Sequence, residues 1–169
     1  MPDRALGVHV SGGHAYVASS GRGSDKYGGL RVIDISTPSN PREVGFYNTP
    51  GEAYRVYVLD GIAYVADGHS GLRVIDVSTP SNPREVGSYC YNCPSDRIWA
   101  AGVHVSDGLA YVAVRSGGLW VVDVSIPSDP RGAGFYDPHF GAEAVYESGG
   151  YIYVASDLDG LLILKLTQR

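Results

Sequence analysis

One short pattern recurs four times in this chain with an unchanging internal spacing. Ala5-x-x-Val8-x-Val10 leads to Ala15-Tyr16-Val17-Ala18, and Ala53-x-x-Val56-x-Val58 leads to Ala63-Tyr64-Val65-Ala66. Ala100-x-x-Val103-x-Val105 leads to Ala110-Tyr111-Val112-Ala113, and Ala142-x-x-Val145 leads to Ile152-Tyr153-Val154-Ala155. The first Ala and the Tyr are 11 residues apart in every copy, and successive first Ala residues are 48, 47 and 42 apart. Each copy then carries a second signature: Gly29-Leu30-Arg31-Val32-Ile33-Asp34, Gly71-Leu72-Arg73-Val74-Ile75-Asp76, Gly118-Leu119-Trp120-Val121-Val122-Asp123 and Gly160-Leu161-Leu162-Ile163-Leu164-Lys165. In the first three copies a Ser-x-Pro turn leads on to Pro41-Arg42-Glu43-Val44-Gly45, Pro83-Arg84-Glu85-Val86-Gly87 and Pro130-Arg131-Gly132-Ala133-Gly134.

A repeat of this length limits the fold to modules that complete one another's cores. Each unit holds four short runs, A to D, rich in Val, Ile and Tyr and separated by Gly and Pro. The 23 Gly, 10 Pro and 13 Tyr among 169 residues suit strands and tight turns, and no helical periodicity is present. A small twisted sheet has two faces and shields neither alone; sheets stacked around an axis shield both. The expected fold is therefore all-β, a β-propeller of four-stranded antiparallel blades spanning residues 5–47, 53–90, 100–136 and 142–166 as one domain. Val8 and Val10 are expected on one packed face. Leu30, Val32 and the B-run tyrosines (Tyr16, Tyr64, Tyr111 and Tyr153) should fill the space between blades, each hydroxyl bonded to nearby backbone.

Gly71-Leu72-Arg73-Val74-Ile75-Asp76-Val77-Ser78, preceded by Ala63-Tyr64-Val65-Ala66-Asp67, resembles the LVIVD-repeat family of β-propellers. The resemblance recurs from Leu30 to Ser36 and from Leu119 to Ser125 and covers nearly the whole chain. It implies a bacterial or archaeal propeller of the kind often found on exported or cell-surface proteins, with no shared catalytic activity to carry over. The chain departs from the family in having about four units, in carrying Lys165 where the others have Asp34, Asp76 and Asp123, and in lacking a fourth D run. The last blade should therefore lack its outer strand. Closing four blades needs about 90° between neighbours and eight need about 45°. Another copy of the chain, or a longer assembly, is the expected partner completing the ring, with closure of four blades in one chain as the alternative.

Asp34, Asp76 and Asp123 each precede an Arg by 8 residues across the C–D turn. A structural role is expected, through turn amides or an ion pair with Arg42, Arg84 or Arg131.

In a blade, the D-to-A and B-to-C connections share one end. The two lengthened connections, residues 19–28 and 89–99, both fall there. That face is expected to carry Arg22, Lys26, Tyr27, His69, Tyr91, Arg97, Trp99, His139 and Phe140, with Tyr54, Arg55 and Glu143 at the channel end of the A runs. Aromatic side chains beside arginine on long loops suit recognition of a protein, glycan or cell-envelope component. The rival reading is a hydrolase or lyase with Asp67, His69, His139 and Glu143 as acid–base groups, and a third is a purely structural assembly unit. Cys90 and Cys93, with two residues between them in the second long loop, suit a local disulfide, half of a metal site or two free thiols. No metal or cofactor is expected, because only His69 and His139 on that face could complete such a site. His9 and His104 take the place of Tyr57 and Tyr146 in the A runs and read as packing. The net charge of −5 gives no basic footprint for nucleic acid, and no apolar stretch is long enough for a membrane helix. The first seven residues do not read as a secretory signal, so an extracellular or cell-surface setting rests on the family resemblance alone.

Overall fold

The computed structural model describes residues 4–21, 28–91, 98–137 and 141–166. All regular structure among them is β. The first blade is β1 (Arg4–Ser11), β2 (His14–Ser20), β3 (Gly29–Asp34) and β4 (Arg42–Asn48). The second is β5 (Arg55–Leu59), β6 (Ile62–Ala66), β7 (Leu72–Asp76) and β8 (Arg84–Tyr89). The third is β9 (Ala100–Ser106), β10 (Leu109–Val114), β11 (Gly118–Asp123) and β12 (Arg131–Tyr136). The fourth is β13 (Ala142–Ser148), β14 (Tyr151–Ser156) and β15 (Gly160–Lys165), three strands where the others have four. Each blade is a meander of strands paired antiparallel in chain order.

The repeated register explains the repeated spacing. Tyr16 stands between His9 and Val32, Tyr64 between Tyr57 and Val74, Tyr111 between His104 and Val121, and Tyr153 between Tyr146 and Ile163. Tyr16, Tyr64 and Tyr111 point from their own blade toward the next, and Tyr153 shares the face of the fourth blade that has no such neighbour. Three apolar clusters result, one per junction: Leu30 and Val32 meet Val56 and Val58, Leu72 and Val74 meet Val103 and Val105, and Leu119 and Val121 meet Ile152 and Val154. The rings of Tyr16, Tyr64 and Tyr111 are buried as expected, but their hydroxyls have no hydrogen-bond partner among the described residues.

The arc is open. The innermost strands pack in sequence, β1 on β5, β5 on β9 and β9 on β13, and among the described residues β13 does not pack on β1 in the same way. The repeat supplies its own control for what this does to burial. Val56 and Val58 are each 6% exposed, while Val8 and Val10 at the same positions of the first blade are 65% and 60% exposed. Leu72 and Val74 are fully buried, while Leu161 and Ile163 are 63% and 57% exposed. Val8 and Val10 thus depart from the expectation of a packed face, because their side chains point toward a preceding blade and theirs is the first.

The aspartates at the C–D turn act mainly on the turn itself. Asp34, Asp76 and Asp123 accept the backbone N–H of Ser36, Ser78 and Ser125 at 2.8–2.9 Å. The Ser78 hydroxyl, donating at 2.6 Å, and then its backbone N–H hold the Asp76 carboxyl down at about 2, with Arg84 adding to the effect at 3.0 Å. The ion-pair part of the expectation is uneven: Arg131 binds Asp129 at 2.9 Å instead of Asp123.

Candidate recognition face

The loop end of the arc gathers side chains from successive blades. Trp99, just before β9, meets Tyr54 edge to face at 5.3 Å between ring centres and His69 at 4.2 Å. The Arg115 guanidinium lies 5.0 Å from the Tyr54 ring centre and 5.8 Å from that of Trp99. Its Nε donates to Glu143 at 3.0 Å, tying the third blade to the start of the fourth. Contacts of this kind contribute about 0.5–1 kcal/mol at an exposed site. The Trp99 indole N–H is buried with no acceptor among the described residues. Arg55 is directed differently: it donates to the carbonyls of Leu6 and Tyr54, pinning the first two inner strands together.

Four of the expected site residues, Tyr54, His69, Trp99 and Glu143, thus share one cluster. Tyr91 stands apart, exposed and tilted against Phe135 at 6.4 Å on the third blade's outer strand. Arg22, Lys26, Tyr27, Cys93, Arg97, His139 and Phe140 lie outside the described residues. Cys90 is disulfide-bonded. Sequence reasoning missed Arg115. The rule that assigns B–C connections to this end, and that placed His69 there, applies equally to the third blade's, where Arg115 stands.

Asp67 is buried at the base of this face. Thr49 Oγ1 donates to its Oδ1 at 2.5 Å, Gly51 N–H to its Oδ2 at 2.9 Å, and Arg73 Nε lies 3.6 Å away. The carboxyl therefore anchors the connection between the first and second blades. Burial pushes its pKa up to about 6, although its hydrogen bonds and Arg73 act in the opposite direction. The folded state then holds the proton more tightly than the unfolded chain. Stability from this group is complete below about pH 4 and is lost as pH rises through about 6. Asp67→Asn is expected to lower stability overall, because its amide cannot accept both donors. It should also remove about 2–3 kcal/mol of the stability difference between pH 4 and pH 7.5. Denaturant titrations of both proteins at the two pH values check this; equal pH dependence refutes it.

Near the axis, one ring from each inner strand forms a continuous series. His9 meets Tyr57 at 4.8 Å, Tyr57 meets His104 at 4.6 Å and His104 meets Tyr146 at 4.4 Å. Burial pushes both imidazoles below their ordinary pKa. The His-for-Tyr exchange is thus a packing exchange. Among the described residues no three His, Cys, Asp or Glu side chains are grouped to hold a metal ion, and no helix is long and apolar enough to cross a membrane.

A comparison with curated proteins finds no match. Among solved structures, the chain is similar to the computationally designed Ika4 protein, with a TM-score of 0.76 at 14% identity over 99% of this chain and 94% of that one. It is also similar to the computationally designed Ika8 protein, with a TM-score of 0.71 at 13% identity over 95% of this chain but only 45% of that one. These likenesses concern the fold. The LVIVD repeat matches at residues 3–49, 50–90, 99–137 and 141–164, one match per blade. The chain belongs to the LVIVD repeat family.

Proposed function

We propose that this protein is a non-catalytic binding and scaffolding module, that two copies join head to tail into one ring of eight blades, and that the ring recognises a protein, glycan or cell-envelope component through its loop face. The observation that carries the assembly is the exposure of Val8, Val10, Leu161 and Ile163, whose counterparts Val56, Val58, Leu72 and Val74 are buried in internal junctions. The two open faces are the two halves of a junction the chain already makes three times. Tyr146 ends the axial ring series exposed, and His9 of a second copy would take the next place. The coverage of just under half of Ika8 fits an arc that belongs to a larger ring. A longer assembly would meet the same need with further blades.

Recognition is supported by the Tyr54–Trp99–Arg115 cluster, aromatic rings beside a cation at the loop end. The hydrolase or lyase reading has less support. Asp67, one of its four candidate acid–base groups, is fully buried and already takes donors on both oxygens. The family resemblance favours an extracellular or cell-surface setting. Sedimentation at micromolar concentration should return twice the 18.0 kDa chain mass, and a single-chain mass rejects the ring. An array of cell-envelope glycans and peptides tests recognition: Trp99→Ala should weaken whatever binds by about tenfold or more, and unchanged binding rejects the site.

A further inference from the structure

The fourth blade lacks the outer strand that β4, β8 and β12 supply to the others. The effect is visible on the blade before it. A Cβ on Gly45 of β4 would stand 2.2 Å from the Pro80 carbonyl oxygen, and one on Gly87 of β8 would stand 2.3 Å from that of Pro127, because the next blade's C–D turn rests on each. Gly134 holds the same place on β12, yet a Cβ there would touch only Val121, at an ordinary 3.6 Å. Its own backbone does not call for glycine, since its φ is not positive, and glycine weakens a strand unless another backbone comes close.

The tyrosines tell the same story. Tyr47 Oη donates to Glu85 on the next blade's outer strand at 3.3 Å, and a Cβ on Gly132 of β12 would stand 2.3 Å from Tyr89 Oη. Tyr136, third in the series, is exposed. Between β12 and β15 runs an open groove of about 850 Å³, lined by Leu119, Val121, Phe135, Ile152, Leu164 and Leu166. Beside it, the outer edge of β15 offers an unpaired ladder of backbone groups.

Charge indicates what kind of strand fits. In each complete blade the last C-strand residue faces an arginine: Asp34 faces Arg42, Asp76 faces Arg84 and Asp123 faces Arg131. At that position β15 has Lys165, so a strand of the chain's own kind would set Arg against Lys. We propose that this groove binds an extended segment of a different polypeptide, which adds to β15 as a fourth strand with an acidic residue opposite Lys165. Main-chain bonds to β15 hold the segment, and the acidic position selects it. A second copy completing the ring would pack on the opposite face of this blade and leave the groove free, so the site stands whether or not the ring forms.

The test is calorimetric titration of the 169-residue chain with two synthetic peptides. One copies Arg42–Asn48, and the other is the same peptide with Arg42→Glu. The acidic peptide should bind about 3–10-fold more tightly, with a ratio that shrinks as salt is added. Lys165→Glu, at an exposed position, should reverse the order. The site is refuted if neither peptide binds at about 1 mM, or if the preference survives Lys165→Glu.

Discussion

Leu161→Glu with Ile163→Glu is expected to halve the mass of the protein in solution, from twice 18.0 kDa to 18.0 kDa, without unfolding it. Both side chains are more than half exposed in the single chain, so a charge there does not disturb a packed core. In the assembly the same positions correspond to Leu72 and Val74, which are fully buried. Two carboxylates placed in such a junction without partners cost several kcal/mol each. The ring contains this junction twice, once in each direction, so the loss is doubled. A complementary experiment distinguishes junction chemistry from general damage. Val8→Lys with Val10→Lys on the opposite open face should also give single chains. Mixing the two variants should restore the double mass, since one junction is then unaltered and the other sets Glu against Lys. Sedimentation of each variant and of the mixture reads the result. A double variant that keeps the wild-type mass would show that these faces do not meet.

Leu72→Ala is expected to cost about 2–5 kcal/mol of folding stability, whereas Leu161→Ala at the same repeat position should cost less than about 0.5 kcal/mol in the single chain. Leu72 has no exposed surface and lies in the cluster with Val103, Val105 and Trp120, where a shortened side chain leaves a cavity between two sheets that cannot both relax. A domain of this size has about 5–15 kcal/mol in all, so the first change is a large fraction of the total. Denaturant midpoints measured in the Val8→Lys, Val10→Lys background, where the ring is absent, compare the two. Equal losses would mean that burial in the single chain does not distinguish the internal junctions from the open end.

Much of the fold was legible because the repeat carries its own evidence. The Ala-to-Tyr interval of 11 residues sets the register of A against B, and the four matching signatures place C against B. The expected A runs began about two residues early in the second unit, where Tyr54 belongs to the connection and β5 begins at Arg55. Repetition shows that a strand exists better than it shows where pairing starts. The candidate recognition face was legible only in part. Loop length pointed to residues 19–28 and 89–99, and the rule for which connections share an end brought Tyr54, His69, Trp99 and Glu143 together. Arg115 was missed although the same rule covers its loop; its cation links Tyr54, Trp99 and Glu143. Asp67 looked like a surface acid in a B–C loop. It proved to be sealed, because the chain folds Thr49 and Gly51 back over it from the previous connection.

By itself the sequence determined the module: a strand pattern of period two, punctuated by glycine and proline at fixed intervals, admits one kind of small antiparallel sheet, and its two apolar faces require neighbours. Which faces find them was decided only in three dimensions. Val8 and Val56, or Leu161 and Leu72, are equivalent in the repeat, yet one of each pair is buried and the other is exposed. Local sequence sets which way a side chain points from its sheet. Whether another sheet stands there depends on the angle between blades and on how many of them the chain supplies, and no single repeat contains that information.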